Sequence, residues 1–309
     1  MILKVMKMID LHIHTSYSDG KYTVCEILNM AEKMGLNIIS ITDHDCCKAY
    51  YELEEENIRN LFKGEIKTGI EITTSYGGTR IELLAYDFDD YKTINDFFVN
   101  ATNNISWEPI MIEERKILLQ KIKNLGLKYD SIFDEELLID RYETKLYTSI
   151  LELNAKDVLK NLLADYFCET GREFYRKCIA NPNSPFYANY GKYRPKIEQI
   201  ISLIHSHGGI VLLAHPYGYR LNNTEEYIEK LYNEYDLDGI ECYYNGFNEE
   251  QIKYIENFAR KRNLLISGGS DFHGTEDRDN ELGKCKLGTE FIPDKIIENW
   301  GHENIAKKT

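Results

Sequence analysis

The chain has 309 residues, 43% of them apolar and 28% charged, a balance that excludes wholesale disorder, collagen-like repeats and a coiled-coil rod. Its net charge of −14 argues against a broad electrostatic grip on nucleic acid, which needs a basic face. The longest apolar runs, such as 209–214, fall far short of the ~20 residues of a membrane span.

Lys4 and Lys7 are followed at once by Asp10 and His12, so no signal-peptide core is expected and the protein is expected in the cytoplasm. Residues 9–14 (IDLHIH) read as a short strand. Thr23 and Glu26 have capping-box spacing and Gly35 suits a helix C-terminus. Between them Val24, Ile27, Leu28 and Ala31 form an apolar face at helical spacing. Residues 37–42 (NIISIT) read as a buried strand and 48–62 as a charged helical stretch. Residues 67–73 and 79–86 read as strands joined by a Gly77–Gly78 turn.

From about residue 95 to 190 no strand run is visible. Ile110, Ile117, Leu118, Ile122 and Leu125 space as a helix, 154–167 and 172–179 read as further helices, and 181–185 as a loop. After 190 the alternation returns. A helix runs from Pro195 to about His207, then come a strand at 210–214, a helix at 225–234, a strand at 239–243, a helix at 248–262 and a strand at 264–267. Strands alternating with helices imply a mostly parallel sheet with crossovers, and six or seven such units can close into a barrel. The seven cysteines are scattered without a CxxC pair and read as small buried hydrophobes rather than a disulfide framework.

Five of the eight histidines lie in short motifs that also carry carboxylates. His12 and His14 are two apart on a predicted strand, so they share a face. Asp19 follows in a Ser-Asp-Gly turn. His44 lies in Thr-Asp-His-Asp, Glu71 in the third strand, His215 in Ala-His-Pro, and Asp271 with His273 in an Asp-x-His pair after Gly268 and Gly269. Each position falls in or just beyond a predicted strand, and the strand ends of a barrel converge on one rim. Imidazoles with carboxylates suit Zn, Mn or Fe. The set exceeds the needs of one ion, so two or three divalent ions are implied, arranged to activate water and clamp phosphate oxygens. His205, His207 and His302 read as structural or solvated, and the Gly268–Gly269 pair as backbone bending beside the metals.

Residues 8–45 resemble the opening of the PHP (polymerase and histidinol phosphatase) family. Gly69-Ile70-Glu71-Ile72, Leu213-Ala214-His215-Pro216 and Gly268 to His273 resemble its later motifs in order, and Gly239-Ile240-Glu241 resembles its stand-alone branch. The resemblance implies a distorted TIM-like (β/α)7 barrel of class α/β with a helical insertion: 1–95 and 190–309 as the barrel and 96–189 as a cap over its rim. It implies three metal sites: His12, His14, Glu71 and Asp271; Asp19, His44 and His273; and Glu71 with His215. At the third site the family usually adds a histidine where this chain has Glu82, a ligand that favours a harder ion such as Mn²⁺ or Fe.

The implied activity is hydrolysis of a phosphate ester by metal-activated hydroxide attack on phosphorus. His44, His215 and Asp271 are the expected catalytic residues, and Asp43 and Asp45 are expected to orient His44 or neighbouring ligands. Arg176 and Lys177, in a segment resembling the family's aromatic-Arg-Lys run, are the expected substrate contacts. The insertion lacks the Arg-Thr-His run of nucleotide-hydrolysing relatives, which favours a small phosphorylated metabolite. A nuclease or nucleotide phosphatase, and a non-catalytic scaffold module, remain the alternatives. No membrane partner and no stable nucleic-acid complex are expected.

Overall fold

The structure, a computed structural model, describes residues 8–219, 221–275, 280–285 and 292–300; Lys4, Lys7 and His302 lie outside them. The fold is α/β. Its strands are β1 (Met8–Ile13), β2 (Ile38–Ile41), β3 (Glu65–Lys67), β4 (Gly69–Tyr76), β5 (Thr79–Tyr86), β6 (Ile210–Leu213), β7 (Gly239–Tyr244), β8 (Leu265–Gly269) and β9 (Ile292–Pro293). The predicted strands all form, with ends moved by a few residues. The two-residue β9 is too short to carry a pattern in sequence.

The first helix, α1 (Val24–Met34), is closed as its sequence predicts. The Thr23 side chain accepts from the Glu26 backbone, Glu26 returns to the Thr23 N–H, and Val24, Ile27, Leu28 and Ala31 are buried. Residues 48–62 form two separate one-turn helices, Ala49–Glu52 and Glu56–Arg59, neither closed by a side-chain N-cap.

The strands form two sheets, in the orders β3-β2-β1-β9 and β4-β5-β6-β7-β8. The β1-β2-β3 and β6-β7-β8 ladders are parallel, as alternation with helices requires. The β4-β5 and β5-β6 pairs are antiparallel. The glycine hairpin, with φ of 55° at Gly77 and 82° at Gly78, sends β5 straight back along β4. Among the described residues the ladders therefore do not form the continuous (β/α)7 ring expected from sequence. Two isolated bridges join the sheets, Ile13 to Phe272 and His44 to Glu71.

The helical stretch includes α2 (Tyr91–Asn103), α3 (Trp107–Asn124), α4 (Tyr142–Leu153) and α5 (Lys156–Leu163). The boundary expected at 95/96 falls inside α2, whose Ile94 and Phe98 join the core beneath the sheets. Residues from Leu118 to Phe186 build a second core around Ile122, Tyr147, Ile150, Leu159 and Phe174. Tyr147 stacks on Phe174 at 4.2 Å, and its hydroxyl donates to Cys168 O and accepts from Cys168 N. Ile117, expected on the buried face of α3, is 41% exposed; the buried stripe runs instead through Glu114, Arg115, Leu118, Leu119 and Ile122.

Three further helices, α6 (Ile197–Ser206), α7 (Thr224–Glu234) and α8 (Glu249–Arg262), cover the second sheet near their predicted bounds. No helix among the described residues is long and apolar enough to cross a membrane.

At Gly269, β8 packs closely against β1. A Cβ there would lie 2.1 Å from the His12 Cβ and 2.5 Å from its backbone nitrogen. The glycine serves this close backbone approach rather than the bend expected from sequence. Gly269→Ala must therefore separate β1 from β8, and we expect it to destabilise the fold by about 3 kcal/mol, read as a lowered midpoint in urea or thermal denaturation.

A candidate metal centre at the seams between the sheets

The two bridges that join the sheets also gather the histidines and carboxylates. Along the first seam His14 N donates to Phe272 O at 3.0 Å and Phe272 N to His12 O at 3.4 Å. This places Asp271 and His273 beside His12 and His14. Along the second, Asp45 N donates to Glu71 O at 2.8 Å and Glu71 N to Asp43 O at 3.3 Å, which lays His44 against Glu71. The strand period of two turns His12 and His14 to the same side, and both are fully buried.

Three groups of donor atoms result, each with its atoms within 4.8 Å of one another: His12, His14, Glu71 and Asp271; His14, Asp19, His44 and His273; and Glu71, Glu82 and His215. All nine positions expected from sequence are present. Glu71 is the hub. Its Oε1 lies 3.3 Å from His12 Nε2 and 2.8 Å from His215 Nε2, and its Oε2 lies 3.2 Å from His14 Nε2 and 3.0 Å from His44 Nδ1. Asp19 Oδ1 lies 2.9 Å from His273 Nε2 and 3.6 Å from His44 Nε2.

These groups fit divalent ions on an observation of their own. His12 Nε2, His14 Nε2, His44 Nδ1 and Glu71 Oε2 are buried and make no hydrogen bond, although His14 Nε2 and His44 Nδ1 lie 3.2 and 3.0 Å from Glu71 Oε2 and His12 Nε2 lies 3.3 Å from its other oxygen. Buried polar atoms without partners are costly, and convergent imidazole and carboxylate donors are what a Zn, Mn or Fe ion takes.

The electrostatics follow from the same crowding. Burial disfavours the charged form of His14, yet Asp271 and Glu71 outweigh it and hold the imidazole up at about 9. Burial likewise opposes charge on His215, and Glu71 and Glu82 overcome it to reach about 9. Burial pushes Glu71 up, but His12 and His44 pull it well below the usual carboxylate range. A bound cation takes over this stabilisation from protons.

A surrounding layer fixes the donors. Glu241 on β7 binds His12 Nδ1 through Oε1 at 2.9 Å and accepts the His215 backbone N–H through Oε2 at 2.8 Å. It thereby directs His12 Nε2 inward, as carboxylate–histidine–metal chains do. Asp43 accepts from Thr15 N at 2.7 Å, Thr15 Oγ1 at 2.6 Å and Ser18 Oγ at 2.5 Å. It thus holds the turn between His14 and Asp19 rather than His44. Asp45 accepts from Thr73 N and pairs with Arg194 at 3.1 Å. Asp10 accepts from His12 N, Ser270 N, Ser270 Oγ and Gly283 N. Asp271 has a left-handed φ of 52°, costly outside glycine, and receives the Tyr244 hydroxyl at 3.0 Å. Glu241 stands in the Gly239-Ile240-Glu241 motif, but its role depends on the fold bringing β7 within reach of His12, 229 positions away, which sequence does not reveal.

The centre opens into a cleft of about 1080 Å³ lined by Asp19, His44, Glu71, Glu82, His215 and Asp271 together with Tyr175, Arg176, Tyr187 and Tyr190 from the helical stretch. Arg176, an expected substrate contact, lines this cleft. Lys177 is not among the cleft residues; its ammonium donates to Phe167 O at 3.1 Å, because the π-turn Tyr175–Ile179 sends successive side chains in different directions. Arg80, unmarked in the sequence reading, lines the cleft beside Glu82.

Residues 10–243 match the model of the PHP domain. A 5'-3' exoribonuclease of Haemophilus influenzae is 26% identical over 308 residues, covering 95% of this chain and 98% of that one. A 3',5'-nucleoside bisphosphate phosphatase of Chromobacterium violaceum is 22% identical, covering 93% of each. The solved structure of an amidohydrolase from Chromobacterium violaceum with bound sulfate and no metal superposes with a TM-score of 0.61 at 21% identity, covering 96% of each chain. The family match spans most of the described fold and all but the last two of the expected ligands, and the chain belongs to the PHP-domain family as a metal-dependent phosphoester hydrolase.

Proposed function

We propose that the chain hydrolyses a terminal phosphate ester of a nucleotide or of a short RNA end. The observation that carries this reading is the cleft. Its volume of about 1080 Å³ lies at the upper end of small-molecule pockets, roughly 300–1,000 Å³, and leaves room for a base as well as a phosphate. Three tyrosines of the helical stretch line it, and Tyr175 is 41% exposed despite its large apolar ring. Such rings are stacking surfaces for bases. The exoribonuclease and bisphosphate phosphatase relatives are consistent with that substrate class. The compact metabolite favoured by the sequence would leave much of the cleft unfilled.

In this reading His12, His14, Glu71 and Asp271 hold one ion, and Asp19, His44 and His273 a second. Divalent ions held by these residues would supply an acidified water as nucleophile and offset charge on phosphate oxygens. Glu241 and Asp43 keep the donors in place. Arg176 binds the phosphate, and His44, His215 and Asp271, which line the same cleft, act at the reacting centre. Residues of about 104–189 act as a cap that excludes bulk water and places the base, as lids do elsewhere.

Three outcomes are expected. With Mn²⁺ present, nucleoside 3',5'-bisphosphates or 5'-phosphorylated di- to pentaribonucleotides should show kcat/KM at least about tenfold above sugar phosphates, and Tyr175→Ala should raise KM by about tenfold, the worth of one base stack. Asp271→Ala should abolish turnover of every substrate. Preference for small metabolites with no effect of Tyr175→Ala contradicts the nucleotide reading.

Glu241→Gln should weaken Mn²⁺ binding 10–100-fold, the usual cost of losing such a support, measured by calorimetric titration, with the fold retained by circular dichroism.

Ion binding should also depend on pH. The metal-free centre holds His14 up at about 9, so below that pH an ion must displace a proton. Raising pH from 7.0 to 8.5 should tighten Mn²⁺ binding at least about tenfold, with proton release seen in buffers of different ionisation enthalpy; pH-independent binding contradicts the assignment.

A further inference from the structure

We propose that Arg80, rather than a third ion, supplies the positive charge at the Glu71–Glu82–His215 end of the centre and binds substrate phosphate there. This rests on the phosphoester reading of the cleft but not on the nucleotide preference. The three donor groups differ in one respect. The atoms left without hydrogen bonds, His12 Nε2, His14 Nε2, His44 Nδ1 and Glu71 Oε2, all face the first two groups. In the third group the donors already have protein partners. His215 Nε2 is hydrogen-bonded to Glu71 Oε1 at 2.8 Å. Glu82 Oε2 lies 3.5 Å from His215 Nε2, and its other oxygen accepts from Arg80 at 2.6 Å. The result is a closed chain, Arg80–Glu82–His215–Glu71, with no gap that calls for a cation.

Strand geometry explains the arrangement. Arg80 and Glu82 are two apart on β5 and share a face. The Arg80 backbone N–H is fixed by the Tyr187 hydroxyl at 2.6 Å, which ties this end of β5 to the helical stretch. A guanidinium beside Glu82 spends that carboxylate's charge and repels a further cation. It also has donors to spare: a guanidinium carries five N–H groups, the Glu82 pair uses one nitrogen, and the side chain remains 46% exposed in the cleft. A planar fork of donors matches the oxygens of a phosphate. Arg80 and Arg176 line the same cleft, so a phosphate entering it has two guanidinium groups available.

Counting ions and measuring phosphate binding test this without reference to turnover. Calorimetric and elemental titration with Mn²⁺ should give two ions per chain in the wild type and still two in Glu82→Gln. On Mn²⁺-loaded protein, Arg80→Met should weaken inorganic phosphate by at least about tenfold, the worth of a charge-assisted hydrogen bond, with two ions kept. Arg80→Lys keeps the stem and charge, guards against misfolding, and should weaken phosphate severalfold because the fork is lost. Three ions in the wild type falling to two in Glu82→Gln, or phosphate affinity unchanged in both Arg80 variants, overturns the proposal. Failure of the phosphoester reading looks different: no ion bound at all, or no ester hydrolysed.

Discussion

One buried carboxylate organises this molecule. Glu71 is 1% exposed and lies against four imidazoles, those of His12, His14, His44 and His215. An ionised group removed from water must be compensated locally, and here the compensating residues come from three separate parts of the chain. His12 lies on β1 and His14 just beyond it, His44 lies beyond β2, and His215 beyond β6. The same seam carries backbone pairing, because Glu71 N–H and C=O bond to Asp43 and Asp45. The join between the sheets and the donor set are thus one structural feature. The close packing of Gly269 on His12 is its counterpart at the other seam.

The donor set was legible in sequence because each member stands in or beyond a short strand with strong local character. The alternation of IDLHIH alone places two imidazoles on one face. The capping box at Thr23 and the Gly77–Gly78 hairpin were readable for the same reason, since both act over a few residues. Closure of the barrel was not readable in this way. Whether neighbouring strands complete a ladder depends on long-range pairing, and the antiparallel β4-β5-β6 run breaks the regular crossover pattern. The roles of Glu241, Asp43 and Arg80 were hidden likewise. Each depends on a partner brought near by the fold: His12 is 229 positions from Glu241, and Arg80 matters because of the cleft it faces. Lys177 shows the reverse case, a cation in a suggestive run that the π-turn directs to a carbonyl of its own segment.

Charge distribution reconciles an acidic protein with an anionic substrate. The net charge is −14, so the surface at large does not attract phosphate. The cleft differs from that surface: two arginines line it together with donor groups that could hold cations. The helical stretch has a separate aromatic core under α3, α4 and α5, and its Tyr175 and Arg176 line the cleft.

The most direct measurement of the central claim is anomalous X-ray diffraction from crystals grown with Mn²⁺. The account predicts one strong peak among His12, His14, Glu71 and Asp271 and a second among His14, Asp19, His44 and His273. Peaks lying elsewhere, or no peak at the seam between the sheets, would contradict it.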